Sequence, residues 1–349
     1  MRKTSLVLAL LIIWFSVLHI TSSSTFAADI SVIDGRYEGE KYVSITGKIE
    51  QGDLEKVKRA SIQAISATEN RNLTIHVNTG GGDLLEAMKI GRFARKLLAN
   101  TSAYGKKIVP PGHWIIESTK EFQQSRFNLH VLPKDVPLTE KDVVRCYSAG
   151  VFILYGGVKR YVSDNIDFRH GKEFITVIGI HRPNFDASYF SELSPEKADK
   201  QYKSLQEKAR EYLIEMDAPQ SLISQMFVTA SNKIQLIESV KFRKEYLASK
   251  VPFFDEWLIA KCGSSGPKTA LDEKEYGEYM MMSLDLQFEV SSKRLLKIPG
   301  DFKNPLPEGL TPERAKYIVG KLDAHDSQVS GCKGFAVRKF QEEWAVNAK

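Results

Sequence analysis

Cysteine is scarce in this 349-residue chain: only Cys146, Cys262 and Cys332 occur. At most one intrachain disulfide can form, with one thiol left over. No Cys-x-x-Cys, His-Glu-x-x-His or Asp/Asn-rich calcium loop is present, and the histidines are scattered, so no metal is expected. Both nucleotide-cradle patterns, Gly-x-x-x-x-Gly-Lys and Gly-x-Gly-x-x-Gly, are missing, which disfavours nucleotide cofactors. Charge of one sign is not in large excess. Setting aside Arg2 and Lys3 from the 49 Lys+Arg leaves an excess of four over the 43 Asp+Glu, too small and dispersed to argue for nucleic acid. There is no internal repeat and no low-complexity tract. With 42% hydrophobic and 26% charged residues, the balance excludes wholesale disorder, collagen and a multi-span membrane protein.

The one sustained apolar run is at the start. Arg2 and Lys3 precede Leu6 to Ile20, polar Thr21 to Ser24, and a small-x-small exit at Thr25-Phe26-Ala27. This is the pattern of a cleaved signal peptide over residues 1–27, so the mature chain is expected in the periplasm or outside the cell. An oxidising compartment permits a disulfide. Cys262 and Cys332, each beside a glycine, would close a loop of 70 sequence steps. Such a link stabilises by about 4 kcal/mol in the chain-entropy model.

From residue 28 to 250, strand-like and helix-like segments alternate, which predicts an α/β fold with mostly parallel strands. Tyr42–Thr46 and Leu73–Val77 read as strands, Asp53–Ala67 and Asp83–Leu98 as helices. Asp142–Cys146 reads as a short strand leading into a buried helix over Ala149–Tyr155. Phe174–Ile180 is another strand, and Ala187–Met216 has helical spacing. Residues 105–141 hold Pro110-Pro111-Gly112 and no sustained period, as in an insertion. From residue 251 to 349 the pattern changes to a small, mainly helical C-terminal extension. There Lys293–Pro307 reads as irregular, and a helix over Pro312–Leu322 precedes a charged tail.

Three segments offer complementary chemistry: Asn78-Thr79-Gly80-Gly81-Gly82-Asp83, Cys146-Tyr147-Ser148-Ala149-Gly150, and Ile180-His181-Arg182-Pro183. A glycine turn exposes backbone N–H groups because no Cβ blocks approach. Ser148 stands where a strand meets an apolar helix, so its hydroxyl can be presented while the Ala149 amide faces a developing oxyanion. His181 ends a strand and can act as a general base. Taken singly, each has a plainer role: a turn, a helix N-cap, a satisfied polar residue. Cys146 also breaks the strict Gly-x-Ser-x-Gly elbow, which argues against an α/β-hydrolase.

The order of these segments resembles the proteolytic subunit of Clp protease (ClpP) and its exported relatives in the wider crotonase-like fold. That family runs through an Asn-Ser-Pro-Gly-Gly turn and a helix, then small-x-Ser-x-Gly at a helix start. A basic-aromatic pair follows, then a strand ending Ile-His-Gln-Pro. The matching stretches here are Asn78 to Gly82, Cys146 to Gly150, Gly156-Gly157 with Lys159-Arg160-Tyr161, and Ile180 to Pro183, within residues 42–250. The resemblance implies a ClpP/crotonase-like spiral of repeated strand–helix units. It implies Ser148 as nucleophile, His181 as base, and Gly82 and Ala149 as oxyanion donors. The family's third member, an Asp, falls on Asn232, which can hold a His ring but carries no charge. Asp186 and Glu238 are alternative acids, and Thr229 and Ser231 further polar candidates. Gly80 replaces the family's Pro.

The activity so implied is an exported serine peptidase acting on peptides or unfolded segments, with no cofactor and no ATP-driven unfoldase as partner, as a homo-oligomer. A Ser–Lys pair using Lys159 or Lys172, and Cys146 as nucleophile, are neighbouring mechanisms. Two other classes compete. One is a catalytically decayed binding or assembly module. The other is an acyl-CoA enzyme of the crotonase type, which an exported location disfavours.

Overall fold

The computed structural model describes residues 27–34, 40–68, 72–104, 143–163, 165–167, 172–185, 189–247, 249, 251–295 and 302–348. All of the expected leader except Ala27, and the whole 105–141 insertion, lie outside the described residues.

The fold is mixed α/β, with two sheets and a long C-terminal helix. One sheet orders its strands β1 (Asp29–Asp34), β2 (Lys41–Thr46), β3 (Thr74–Asn78), β4 (Asn100–Tyr104) and β6 (Arg160–Ser163). The β1–β2 pair is antiparallel and the remaining neighbours are parallel. In the second sheet β5 (Val143–Tyr147) runs parallel to β8 (Lys172–Ile180). The short strands β7 (Asn165–Asp167) and β9 (Gln235–Glu238) pair antiparallel with β8. The sheets are stitched together just beyond β3. Thr79 bridges to Cys146, and the Asn78 side-chain oxygen accepts the Arg145 N–H at 3.0 Å.

Helices follow the strands as the periodicity requires. In α1 (Asp53–Ala67), Val57, Ala60, Ala64 and Ile65 form the buried stripe. Its N-terminus is held by Glu86, only 3% exposed, whose carboxylate accepts the Gly52 and Leu54 N–H groups at 3.0 and 2.8 Å. A negative charge is favourable there because the first amides of a helix lack intrahelical acceptors. Glu86 itself belongs to α2 (Leu84–Lys96). Helix α3 (Ala149–Gly156) buries all eight of its residues. Each large apolar side chain buried in this way is worth about 1.5–3 kcal/mol.

Two glycines set how α2 and α3 lie. Gly91 and Gly156 are each the eighth residue of their helix. A Cβ on Gly156 would stand 2.3 Å from the Gly91 carbonyl oxygen. The backbones therefore touch, and because Gly81 also stands against Ser148 just before each helix begins, the helices run in step with their N-termini side by side.

Helix α4 (Pro195–Glu215) covers this pair, its Tyr212 hydroxyl donating to the Phe152 carbonyl at 2.8 Å. Arg160, 2% exposed, ties β6 to the end of α4. Its guanidinium donates to the Gly157 and Met216 carbonyls and lies 4.7 Å from the Tyr155 ring centre. Burial, reinforced by the charge of Arg95, pushes its pKa down to about 10. Helices α5 (Gln220–Val228) and α6 (Ser239–Glu245) flank β9.

The C-terminal region departs from the sequence expectation. After α7 (Pro252–Cys262), α8 (Pro267–Ala270), α9 (Glu273–Met281) and α10 (Leu284–Leu295), one 36-residue helix, α11, spans Pro312–Asn347. The predicted stop at Leu322 is absent, and the charged tail is helical. Val329, Val337, Gln341 and Ala345 recur at helical spacing on a buried face, so tertiary contact sustains a stretch whose own periodicity is faint. The first half of α11 shares a small core with Leu271, Met282, Leu286, Val290 and Leu310. Its second half returns to the α/β body, where Trp344 meets Phe93 with ring centres 5.3 Å apart. Gln341, 1% exposed, accepts the Leu73 N–H at 3.0 Å and donates to the Leu97 and Leu98 carbonyls, each at 3.2 Å. Cys262 and Cys332 are disulfide-bonded, joining α7 to α11 with Cα atoms 5.7 Å apart.

Candidate active site

Ser148 occupies the single residue between β5 and α3. Its backbone is at φ 50°, ψ −113°, in the left-handed half of conformational space that a residue with a Cβ rarely enters. The strain is held in place on both sides. The Ser148 N–H donates to the Gly179 carbonyl of β8 at 2.8 Å, and its carbonyl accepts the Val151 N–H at 3.1 Å. A residue kept in a costly conformation by its surroundings points to a functional constraint.

The glycine turn lies directly against this serine. A Cβ built on Gly81 would come within 2.9 Å of the Ser148 Cβ and 3.4 Å of its Oγ, so only glycine lets the turn approach. Thr79 organises the turn: its hydroxyl donates to the Gly47 carbonyl and accepts the Gly81 N–H at 3.0 Å. Ile49 clasps the far side, donating to the Gly81 carbonyl at 2.9 Å and accepting the Asp83 N–H at 2.8 Å. Extended backbone alternates direction, so the intervening Gly82 N–H points away from Ile49. Neither the Gly82 nor the Ala149 amide has a hydrogen-bond acceptor among the described residues. Ala149 is the first residue of α3, where partial positive charge accumulates, and Gly82 immediately precedes Asp83, the N-cap of α2.

His181 follows the last residue of β8, the strand that accepts the Ser148 amide. Its Nδ1 lies 2.8 Å from the Arg182 carbonyl oxygen. A carbonyl only accepts, so Nδ1 carries the proton in this contact, and in the neutral form of the ring the lone pair is on Nε2. The Arg182 N–H is anchored by the Thr229 carbonyl at 2.9 Å. No hydrogen bond joins His181 to Ser148 Oγ among the described residues. Asn232 is exposed in the turn after α5 and makes no hydrogen bond to His181 among them either. The acceptor holding the ring is thus a backbone carbonyl, which no side-chain motif announces.

The other candidates are distributed elsewhere. Cys146 is fully buried, and that burial pushes its thiol well above the ordinary value, which leaves it un-ionised and unsuited to nucleophilic attack. Although 146 and 148 share strand parity, the left-handed backbone at Ser148 breaks their equivalence. The Lys159 ammonium lies 6.0 Å from the Phe254 ring centre, against α7. Glu238 is exposed and paired across from Val177, while Ser231 is half-buried. Asp186 and the Lys172 side chain lie outside the described residues. Among the described residues no cluster of His, Cys, Asp or Glu is arranged to hold a metal, and no helix is long and apolar enough to cross a membrane.

The glycine turn and the end of β8 thus both adjoin the β5–α3 junction, which bears the Ser148 hydroxyl and the Ala149 amide. No family model matches the chain, and no curated protein matches it significantly.

Proposed function

We propose that the chain is an exported serine hydrolase, a peptidase of the ClpP-like, crotonase-like type, which cleaves peptides or unfolded segments without ATP. The observation that carries this reading is the strained Ser148 elbow, closed by Gly81 on one face and bonded to the strand that leads into His181. The stitched pair of sheets and the two in-step helices support the fold assignment.

In this reading Ser148 Oγ attacks the carbonyl carbon of the substrate while His181 Nε2 takes the hydroxyl proton. The carbonyl oxygen becomes an oxyanion between the Gly82 and Ala149 N–H groups. The tetrahedral adduct collapses, the C–N bond breaks, and the departing amine takes the proton from His181. Water then hydrolyses the acyl-enzyme with His181 again as base. Catalytic hydrogen bonds are often long before substrate binds, so the open Ser148–His181 spacing is compatible with this sequence of events. A neutral carbonyl orients the imidazole but gives the imidazolium less support than a carboxylate, which predicts a slow enzyme.

A fluorophosphonate probe tests the reading. Covalent labelling of the purified protein is expected, abolished in Ser148→Ala because the bond forms to the Ser148 oxygen, with little change in Asn232→Ala. A second reading, a decayed binding or assembly module, is favoured by the exposed Asn232. A folded wild-type protein that takes no label would establish it in place of the first.

A further inference from the structure

Gly81 and Gly82 have φ of 112° and 138°. Two adjacent glycines impose no conformation of their own, so the direction of the Gly82 amide depends on what grips the turn from outside. One grip reaches the turn from Tyr189, a residue outside every motif, through Asp83. Asp83 caps α2, its Oδ1 accepting the Glu86 N–H at 2.9 Å, and its Oδ2 accepts the Tyr189 hydroxyl at 2.9 Å. Tyr189 lies between His181 and α4. That stretch is anchored through edge-to-face packing of Phe185 on Tyr202, ring centres 6.0 Å apart, and through Gln206 donating to the Pro183 carbonyl.

We propose that Tyr189 is a positioning residue for the oxyanion hole, acting through Asp83; this inference rests on the hydrolase reading above. The hydroxyl fixes the Asp83 carboxylate, and through the Gly82–Asp83 peptide it fixes the amide that receives the oxyanion. It also ties the glycine turn to the segment that carries the base, so the two halves of the site move together. A carboxylate one residue from a developing oxyanion opposes it, and an O–H donor on its outer oxygen draws that charge away.

The test is a double-mutant cycle on the full chain, read by fluorophosphonate labelling rate and by kcat and KM on a p-nitrophenyl ester. Asp83→Ser keeps a helix-capping hydroxyl but is too short to cap and reach Tyr189 together. Tyr189→Phe is expected to lower kcat about five-fold with KM unchanged. In the Asp83→Ser background the same change is expected to have no effect. An equal loss in both backgrounds, a loss in KM alone, or no loss at all overturns the inference while leaving the hydrolase intact. A folded wild-type protein that takes no label overturns both.

Discussion

In the α/β body, α3 buries all eight residues and its neighbours close over it backbone to backbone. The C-terminal helices carry a thinner core, and Leu284, Phe288 and Phe335 remain 69–81% exposed. Charge and covalent bonding fill the gap. Glu275 forms a capping box with Asp272 and pairs with Lys321 at 2.6 Å, Arg314 meets Glu278 at 2.8 Å, and Arg294 meets Asp323 at 2.6 Å. One region is ordered by removing apolar surface from water. The other depends on contacts that redox state and pH can undo, so conditions that loosen the second should leave the first folded.

The largest expected effect comes from the disulfide. Cys332→Ser releases a loop of 70 steps and should remove about 4 kcal/mol from the C-terminal helices. Denaturation is expected to split into two transitions, with Ser148 labelling surviving the first. A single transition at unchanged midpoint would mean the two regions are not different in kind. Next is Gln341→Leu, which strands the Leu73 N–H and the Leu97 and Leu98 carbonyls in the interior. A loss of about 2–3 kcal/mol in urea titration is expected, because this contact belongs to the body although its residue lies near the end of the chain.

The smallest effect is acid sensitivity. The Glu289 carboxyl is held down to about 2, first by the Lys303 N–H and then by Asn304. Glu275 is lowered from 4.5, first by its hydrogen bond from Lys321. Depressed carboxylates contribute fully above about pH 4.5 and lose that contribution as pH falls toward 2. Glu289→Gln should therefore lower the melting temperature at pH 6 and flatten its decline between pH 4.5 and 3. A parallel decline in the variant would locate the acid sensitivity elsewhere.

The sequence revealed what repeats at short range. Asp53–Ala67 was readable because its apolar residues fall on one stripe, and Ala149–Tyr155 because an unbroken apolar run beside a turn has to be interior. Ser148 was readable as a residue at a strand–helix junction, but its left-handed backbone was not, because Ser carries no preference for it. What escaped depends on partners distant in sequence. The second half of α11 passes Gly331 and Gly334 and owes its helix to the body it rests on. Tyr189 and Asp83 meet across 106 positions, and the acceptor for His181 is a main-chain oxygen that every residue possesses.

Gln341 also dictates an order of construction. The Leu73 amide, last in the α1–β3 connection, is satisfied by a side chain 268 positions downstream. During synthesis the ribosome delivers β1 to α6, Ser148 included, well before that side chain emerges. A nascent chain halted short of residue 341 therefore carries a gap at the start of β3, the middle strand of its five-stranded sheet. Sealing that gap waits for the second half of α11.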